Sequence, residues 1–311
     1  MKRMLTLVLS LVLVLTLVPL AQAQDLPEEK KPVVTQLEGA EISFHSYDTK
    51  VYETECDQPG TIEKIEYTTD VYGDPIRQWA NVYLPYGYDP AQEYNIIYFT
   101  HGTNETQDSF IMEDVVKNAI DNMIALHVCD PFIMVCPTYY YDYETRATDH
   151  EVFVEEVRKD LMPAVESRYS TYAKTADPEG FIASRTHRAF CGYSQGGSVC
   201  WTISFGMYDY AKWFVPLSGT FGDVTEQIKD AMARYPEYAD DIFYIICSGG
   251  KRDLAYEGTV AALNAMLQDD TFSFGTDTEK NNFFAAISKD LHQTLKGRFM
   301  LYSVFVDVLF K

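Results

Sequence analysis

The chain has 311 residues with 25 Lys or Arg against 46 Asp or Glu, a formal charge of −21 at pH 7. So acidic a surface repels phosphate backbones and anionic membranes, which excludes charge-driven binding to either and leaves neutral partners such as a polysaccharide. The 14% aromatic content, with 23 tyrosines, offers flat faces that suit sugar or aryl groups and equally supplies core material.

Residues 1–23 open with Lys2 and Arg3, continue as a Leu/Val run and end on Ala21-Gln22-Ala23. That is the layout of a secretory signal peptide. An uncleaved anchor is the alternative, since residues 4–20 are nearly long enough to span a bilayer; the Ala-x-Ala end favours cleavage. No cysteine follows the run to carry a lipid, and no later segment is apolar enough to span, so the expectation is an exported protein with no membrane attachment after cleavage. Residues 24–58 are polar and read as a loosely attached N-terminal segment. Residues 59–311 then form one α/β domain, a size that a single core can serve.

Within that domain, TIEKIEYTTDVY (61–72) sets Ile65 and Tyr67 among polar residues as a half-buried strand does. QWANVYLP (78–85) is a second strand, and YNIIYFT (94–100) and PFIMVCP (131–137) are continuous apolar runs of the buried kind. Between the last two, residues 108–127 carry Phe110, Ile111, Val115, Ala119 and Met123 at helical spacing. A helix is expected over 150–169. Further strands follow at 187–193, 213–219, 241–250 and 281–288, alternating with helices at 196–207, 224–235, 256–267 and 295–310. Strand–helix alternation after a leading antiparallel pair predicts an α/β-hydrolase fold, a mostly parallel sheet covered on both faces.

Six cysteines (56, 129, 136, 191, 200 and 247) have no zinc spacing. Export permits disulfides, but the sequence assigns no pairing. Cys136, Cys191 and Cys247 lie in apolar runs and read as small buried hydrophobes.

Gly192-Tyr193-Ser194-Gln195-Gly196 matches G-x-S-x-G, the turn that presents a nucleophilic serine between a strand and a helix. The pattern alone arises by chance in roughly one chain of this length in ten. Here it follows a buried-type strand and opens a helix, which is where such a serine belongs. Its flanking glycines are needed because a Cβ at either would crowd the turn. A serine hydroxyl needs a base and the base an orienting carboxylate, in the chain order Ser, Asp/Glu, His. His292 is the only histidine after Ser194, and it lies between the last strand and the last helix. For the acid, Asp253 follows the strand 241–250 and so emerges at the carboxyl end of the sheet. Asp240 and Asp241 precede that strand; Asp223, Asp269, Asp270 and Asp277 are less well placed. Asp290 is the best rival but sits close to His292 in sequence. The oxyanion hole would use the N–H of Gln195 and one from the loop FTHGTNET (99–106), where Gly102 turns the chain and Thr103 is the expected donor. His101 is read as shaping that loop. Asn104-Glu105-Thr106 is a glycosylation sequon expected to stay unused, since a glycan would crowd the site.

These residues, with KIEYTTDVYGDPIRQWANVYLPYGYDPAQEYNIIYFTHG, CGYSQGG, SGGKRDLAYEGTVAALNAM and His292 before LYSVFVDVLF, resemble the putative-esterase family, which contains feruloyl and acetyl-xylan esterases. The resemblance covers about residues 60–311. It implies Ser194, Asp253 and His292 as a catalytic triad, no metal and no organic cofactor, and a feruloyl or acetyl ester of plant cell-wall polysaccharide as substrate. Two departures stand out: Thr103-Asn104 where the family has further glycine, and Asp290-Leu291 where it often has glycine before the histidine. Tyr139, Tyr140 and Tyr141, in a loop following the strand that ends near Cys136, are candidates to stack on the substrate ring. Alternatives are a siderophore-ester hydrolase, an acyltransferase, or a non-catalytic carbohydrate-binding protein on the same scaffold. Oligomeric state is not read from the sequence.

Overall fold

A computed structural model describes residues 45–220, 222, 224–289 and 291–311. The expected signal peptide, part of the N-terminal segment, and the aspartates at 223 and 290 lie outside the described residues. The core is an eight-stranded sheet in the order β1-β2-β4-β3-β5-β6-β7-β8. Its strands are β1 (Thr61–Thr69), β2 (Ile76–Leu84), β3 (Asn95–Thr100), β4 (Phe132–Pro137), β5 (Arg188–Tyr193), β6 (Trp213–Leu217), β7 (Phe243–Ser248) and β8 (Phe283–Ile287). β2 runs antiparallel to β1 and β4, and every other pairing is parallel.

The burial pattern follows from that topology. β1, at the edge, alternates exposed and buried residues over its second half, whereas β4 to β8 are buried along their whole length. Strands covered on both faces need apolar residues at every position, which is why their sequences read as unbroken runs. Each face of the sheet packs its own apolar cluster, one built around Tyr98, Phe190 and Trp201 and the other around Phe99, Phe110 and Phe305.

The helices are α1 (Thr49–Tyr52), α2 (Asp114–Ala125), α3 (His150–Glu156), α4 (Met162–Glu166), α5 (Pro178–Ala183), α6 (Gln195–Gly206), α7 (Thr225–Arg234), α8 (Tyr256–Leu267) and α9 (Gly297–Asp307). α2 starts six residues later than its periodicity predicts. Asn81 Nδ2 donates to the Gln107 carbonyl and to Asp108 Oδ1, which holds that stretch as turns while Phe110 and Ile111 are buried without being helical. The helix expected over 150–169 is α3 and α4 joined by a π-helical turn at Val157–Leu161. Pro163 has no N–H to continue a regular ladder through that region. α5, absent from the sequence reading, is a short helix whose cap Asp177 accepts from the Gly180 N–H.

The segment expected to be loosely attached is docked from His45 onward. Tyr47 packs on Tyr52, Phe299 and Tyr302, with ring centroids 5.1, 4.5 and 5.5 Å apart. His45 Nε2 lies 2.7 Å from Asp307 Oδ1, and Glu53 pairs with Arg298 at 2.8 Å. The aromatic and charged side chains of 45–53 therefore clasp α9.

Two buried polar clusters lie away from the carboxyl ends of the parallel strands. At the start of β5, the Arg188 guanidinium donates to both oxygens of Glu166 (2.9 and 2.7 Å) and to the carbonyls of Phe181 and Tyr210. Glu166 also accepts from the hydroxyls of Tyr98 and Thr171, so the buried pair is fully hydrogen-bonded. At the start of the π turn, the Glu156 carboxyl accepts from the hydroxyls of Tyr67 (2.6 Å) and Tyr72 (2.8 Å), and among the described residues no cation pairs with it. Burial pushes this carboxyl up to about 7, against the lowering by its tyrosine partners.

Candidate active site

β3 and β5 are neighbours, although the chain visits β4 between them. The order reverses at that point, the place in an open α/β sheet where ligands bind beyond the carboxyl ends of the strands. The loop after β3 and the turn after β5 meet there, and the loops after β6, β7 and β8 reach toward it.

Ser194 sits at φ 58°, ψ −120° between β5 and α6, in the left-handed half of backbone space that a non-glycine residue occupies at a cost. Its neighbours make that conformation obligatory. A Cβ on Gly192 would lie 2.1 Å from the Gly196 carbonyl oxygen and 2.2 Å from Thr100 Oγ1. A Cβ on Gly196 would lie 2.1 Å from the Thr100 carbonyl oxygen. The Thr100 hydroxyl donates to the Gly196 carbonyl, and the Ser194 N–H to that of Leu217, which pins the turn to β3 and β6.

Ser194 Oγ lies 2.7 Å from His292 Nε2, and His292 Nδ1 lies 2.6 Å from Asp253 Oδ1. A carboxylate only accepts, so Nδ1 carries the proton and Nε2 accepts the serine hydroxyl. Asp253 is buried yet ionised. Burial would raise its carboxyl, but donors from His292, Ser218, Ala255 N–H and Gly249 N–H together hold it below the ordinary carboxylate range. The Ser218 hydroxyl donates to Oδ2 at 2.6 Å, with the Gly249 N–H on the same oxygen and the Ala255 N–H on Oδ1. Ser218 itself has φ 47°. Nothing in the sequence marked it, for it is one serine at the end of β6. The arrangement can do one thing chemically: take the proton from the serine hydroxyl as it attacks and hold the resulting imidazolium against a fixed negative charge.

The loop after β3 is held from behind. The Gly102 carbonyl accepts from His101 Nδ1–H (2.9 Å), from the Tyr139 hydroxyl (3.2 Å) and from the Glu105 N–H (3.2 Å). His101 Nε2 accepts from the Thr138 hydroxyl, and burial drives the imidazole down to about 4, so it is neutral and serves the loop. In a trans peptide the C=O and the next N–H point in opposite directions. The Thr103 N–H is thereby aimed away from those three donors. Gln195 is the first residue of α6, where an N–H has no partner inside the helix and helps make an anion site.

Tyr139 and Tyr140 do not face the cleft. Both are buried beneath the loop after β3, where Tyr139 stacks on His101 at 4.3 Å and the Tyr140 hydroxyl accepts from the Asn104 N–H. These two rings are thus corrected from ring-stacking candidates to packing for the loop, because their hydroxyls find partners inside. Tyr141 is the exposed one of the three and stacks on Tyr72 at 4.8 Å. Asn104, the acceptor of the sequon, takes a hydrogen bond from Arg146. All six cysteines are free thiols. Among the described residues, no group of three or more His, Cys, Asp or Glu side chains is gathered as a metal site.

Residues 77–215 match the family described as "Putative esterase". The chain is 31% identical to a structure titled as a serine-to-alanine mutant of the feruloyl esterase module from Clostridium thermocellum complexed with sinapinate. That match has a TM-score of 0.78 and covers 86% of this chain and 94% of the module. The chain belongs to the putative-esterase family. It is, accordingly, a carboxylic ester hydrolase on an α/β-hydrolase fold. The chain is also 34% identical over 244 residues to endo-1,4-beta-xylanase Y of Acetivibrio thermocellus, covering 76% of this chain and 22% of that protein. To an endo-1,4-beta-xylanase/feruloyl esterase of Xylanibacter ruminicola it is 27% identical, covering 63% of this chain and 26% of that protein. The chain therefore spans about a quarter or less of the length of these curated relatives.

Proposed function

We propose that this protein is an exported feruloyl esterase that releases hydroxycinnamoyl groups from plant cell-wall polysaccharide. The observation that carries it is the continuous line from Ser194 Oγ through His292 to Asp253, with both links under 3 Å. Ser194 attacks the ester carbonyl while His292 Nε2 takes its proton and Asp253 stabilises the imidazolium. The N–H groups of Thr103 and Gln195 receive the tetrahedral oxyanion. As that intermediate collapses, His292 protonates the departing sugar alcohol. Water then enters, gives a proton to His292, and attacks the acyl-serine to release the acid and regenerate the serine hydroxyl. The hydroxycinnamoyl preference draws on the sinapinate complex of the related module and on the xylanase–feruloyl esterase relatives. Export draws on the leader pattern of residues 1–23, and the division into residues 24–58 and an esterase domain at 59–311 belongs to the same proposal.

The test is a panel of methyl ferulate, methyl sinapinate, acetylated xylan and p-nitrophenyl acetate, with fluorophosphonate labelling of the purified protein. Methyl ferulate and methyl sinapinate should be cleaved fastest. Ser194→Ala should lose labelling and fall by at least about 10³-fold in kcat. Activity on acetylated xylan alone would move the substrate to acetyl esters, and no labelling would remove the serine mechanism.

A further inference from the structure

The two halves of the site stand on strands that do not touch: β3, which carries the oxyanion loop, is separated from β8, which carries the base loop, by β5, β6 and β7. One carboxylate spans the gap. Glu105 Oε2 accepts the Gly102 N–H at 2.8 Å, and Glu105 Oε1 accepts the Thr294 hydroxyl at 2.5 Å, across 189 residues of sequence. Thr294 is two residues beyond His292. The intervening Gln293 donates its N–H to the hydroxyl of Tyr193, the residue before the nucleophile. The two loops also touch closely: a Cβ on Gly102 would lie 2.9 Å from Glu105 Oε2 and 3.2 Å from Thr294 Oγ1.

We propose that Glu105 is a positioning residue that locks the oxyanion loop to the base loop, so that the Thr103 N–H and His292 Nε2 keep one fixed geometry about Ser194. The proposal rests on the esterase reading above. A carboxylate is the group for the task because both of its oxygens accept, and the two donors come from different loops. Glutamine in its place can keep both links, its oxygen accepting the Gly102 N–H and its NH₂ donating to the Thr294 hydroxyl, whereas alanine removes both. The gain is kinetic: donors and base held in place before reaction need no rearrangement as charge develops.

The experiment measures kcat and KM on methyl ferulate for Glu105→Ala, Thr294→Val, Thr294→Ser and the Glu105→Ala/Thr294→Val double variant, with thermal melts of each. The single variants Glu105→Ala and Thr294→Val should each lower kcat about tenfold or more, with KM held within about twofold. Thr294→Ser, which restores the hydroxyl, should return to near wild-type kcat. The double variant should be little worse than Glu105→Ala alone, because the strap is already cut. Wild-type kcat in either single variant, multiplicative losses in the double, or a Thr294→Ser as slow as Thr294→Val would each overturn the proposal. Should Glu105→Ala fail to fold, the Thr294 pair decides it alone. Ser194→Ala, run alongside, tests the underlying reading separately: turnover that survives its loss would sink the esterase mechanism itself.

Discussion

At Asp253 the carboxylate is surrounded on every side: two backbone N–H groups, one hydroxyl and one imidazole N–H fill its oxygens. Such a group has little freedom to turn, and the direction it gives His292 is correspondingly fixed. Besides His292 itself, Ser218 is the one member of that set that donates from a side chain. Ser218→Ala deletes a charge-assisted hydrogen bond while the two N–H donors remain. On the proposed mechanism it should lower kcat/KM about tenfold, the kinetic equivalent of one such bond, with KM little changed. Steady-state kinetics on methyl ferulate would show it; an unchanged kcat/KM would mean the backbone donors alone orient the carboxylate.

Among the elements, the π turn joining α3 to α4 brings a second buried carboxyl into view. Glu156 is held by two tyrosine hydroxyls, and burial pushes its carboxyl up to about 7 from an ordinary value of 4.5. The folded protein therefore holds this proton more tightly than the unfolded chain does. Stability from this group is fully present below about 4.5 and is lost as pH rises toward 7. Glu156→Gln, which keeps an acceptor and removes the titration, should flatten the fall in Tm between pH 5 and 7.5. It should gain on the order of 2–3 kcal/mol relative to wild type at the upper end. Melting curves across that range settle it, and identical pH slopes for both proteins would count against it. What the sequence displays at this scale follows from how each element is made. β3 to β8 and the turn at Ser194 were legible because a strand buried on both faces must be apolar throughout, and a crowded turn must have glycine at 192 and 196. The sequence order also led to Asp253 and His292, which the structure brings beside Ser194. The six-residue error at the start of α2 came from Phe110 and Ile111, whose burial in turns mimics helical spacing. Tyr139 and Tyr140 were misjudged for a similar reason, since a ring that packs inward beneath a loop looks in sequence like one displayed on it. Glu105, Ser218 and Glu156 carried no local signal at all. Each acquires its role from a partner brought near by the fold, 189 residues away for Thr294 and 35 for Asp253.

Over the whole molecule, the Arg188–Glu166 pair lies at the start of β5 and Ser194 just beyond its end, so one strand joins a structural cluster to the proposed chemistry. Glu166→Ala would leave a buried guanidinium without its charge partner, a loss of about 3–5 kcal/mol. For a domain of this size that lowers Tm by roughly 10 °C. Turnover per folded molecule should stay at the wild-type value, since no group at the site moves. A parallel drop in kcat at a temperature where the variant is fully folded would show that the two ends of β5 are coupled. The clasp of residues 45–53 on α9 bears on when the molecule becomes active. His45 meets Asp307 across 262 residues, and α9 directly follows the loop that carries His292. A growing chain thus completes its serine turn long before His292 and α9 follow, and the first and last described segments pack on each other. On the proposed mechanism, Ser194 has no base to activate it until the segment carrying His292 has folded beside it.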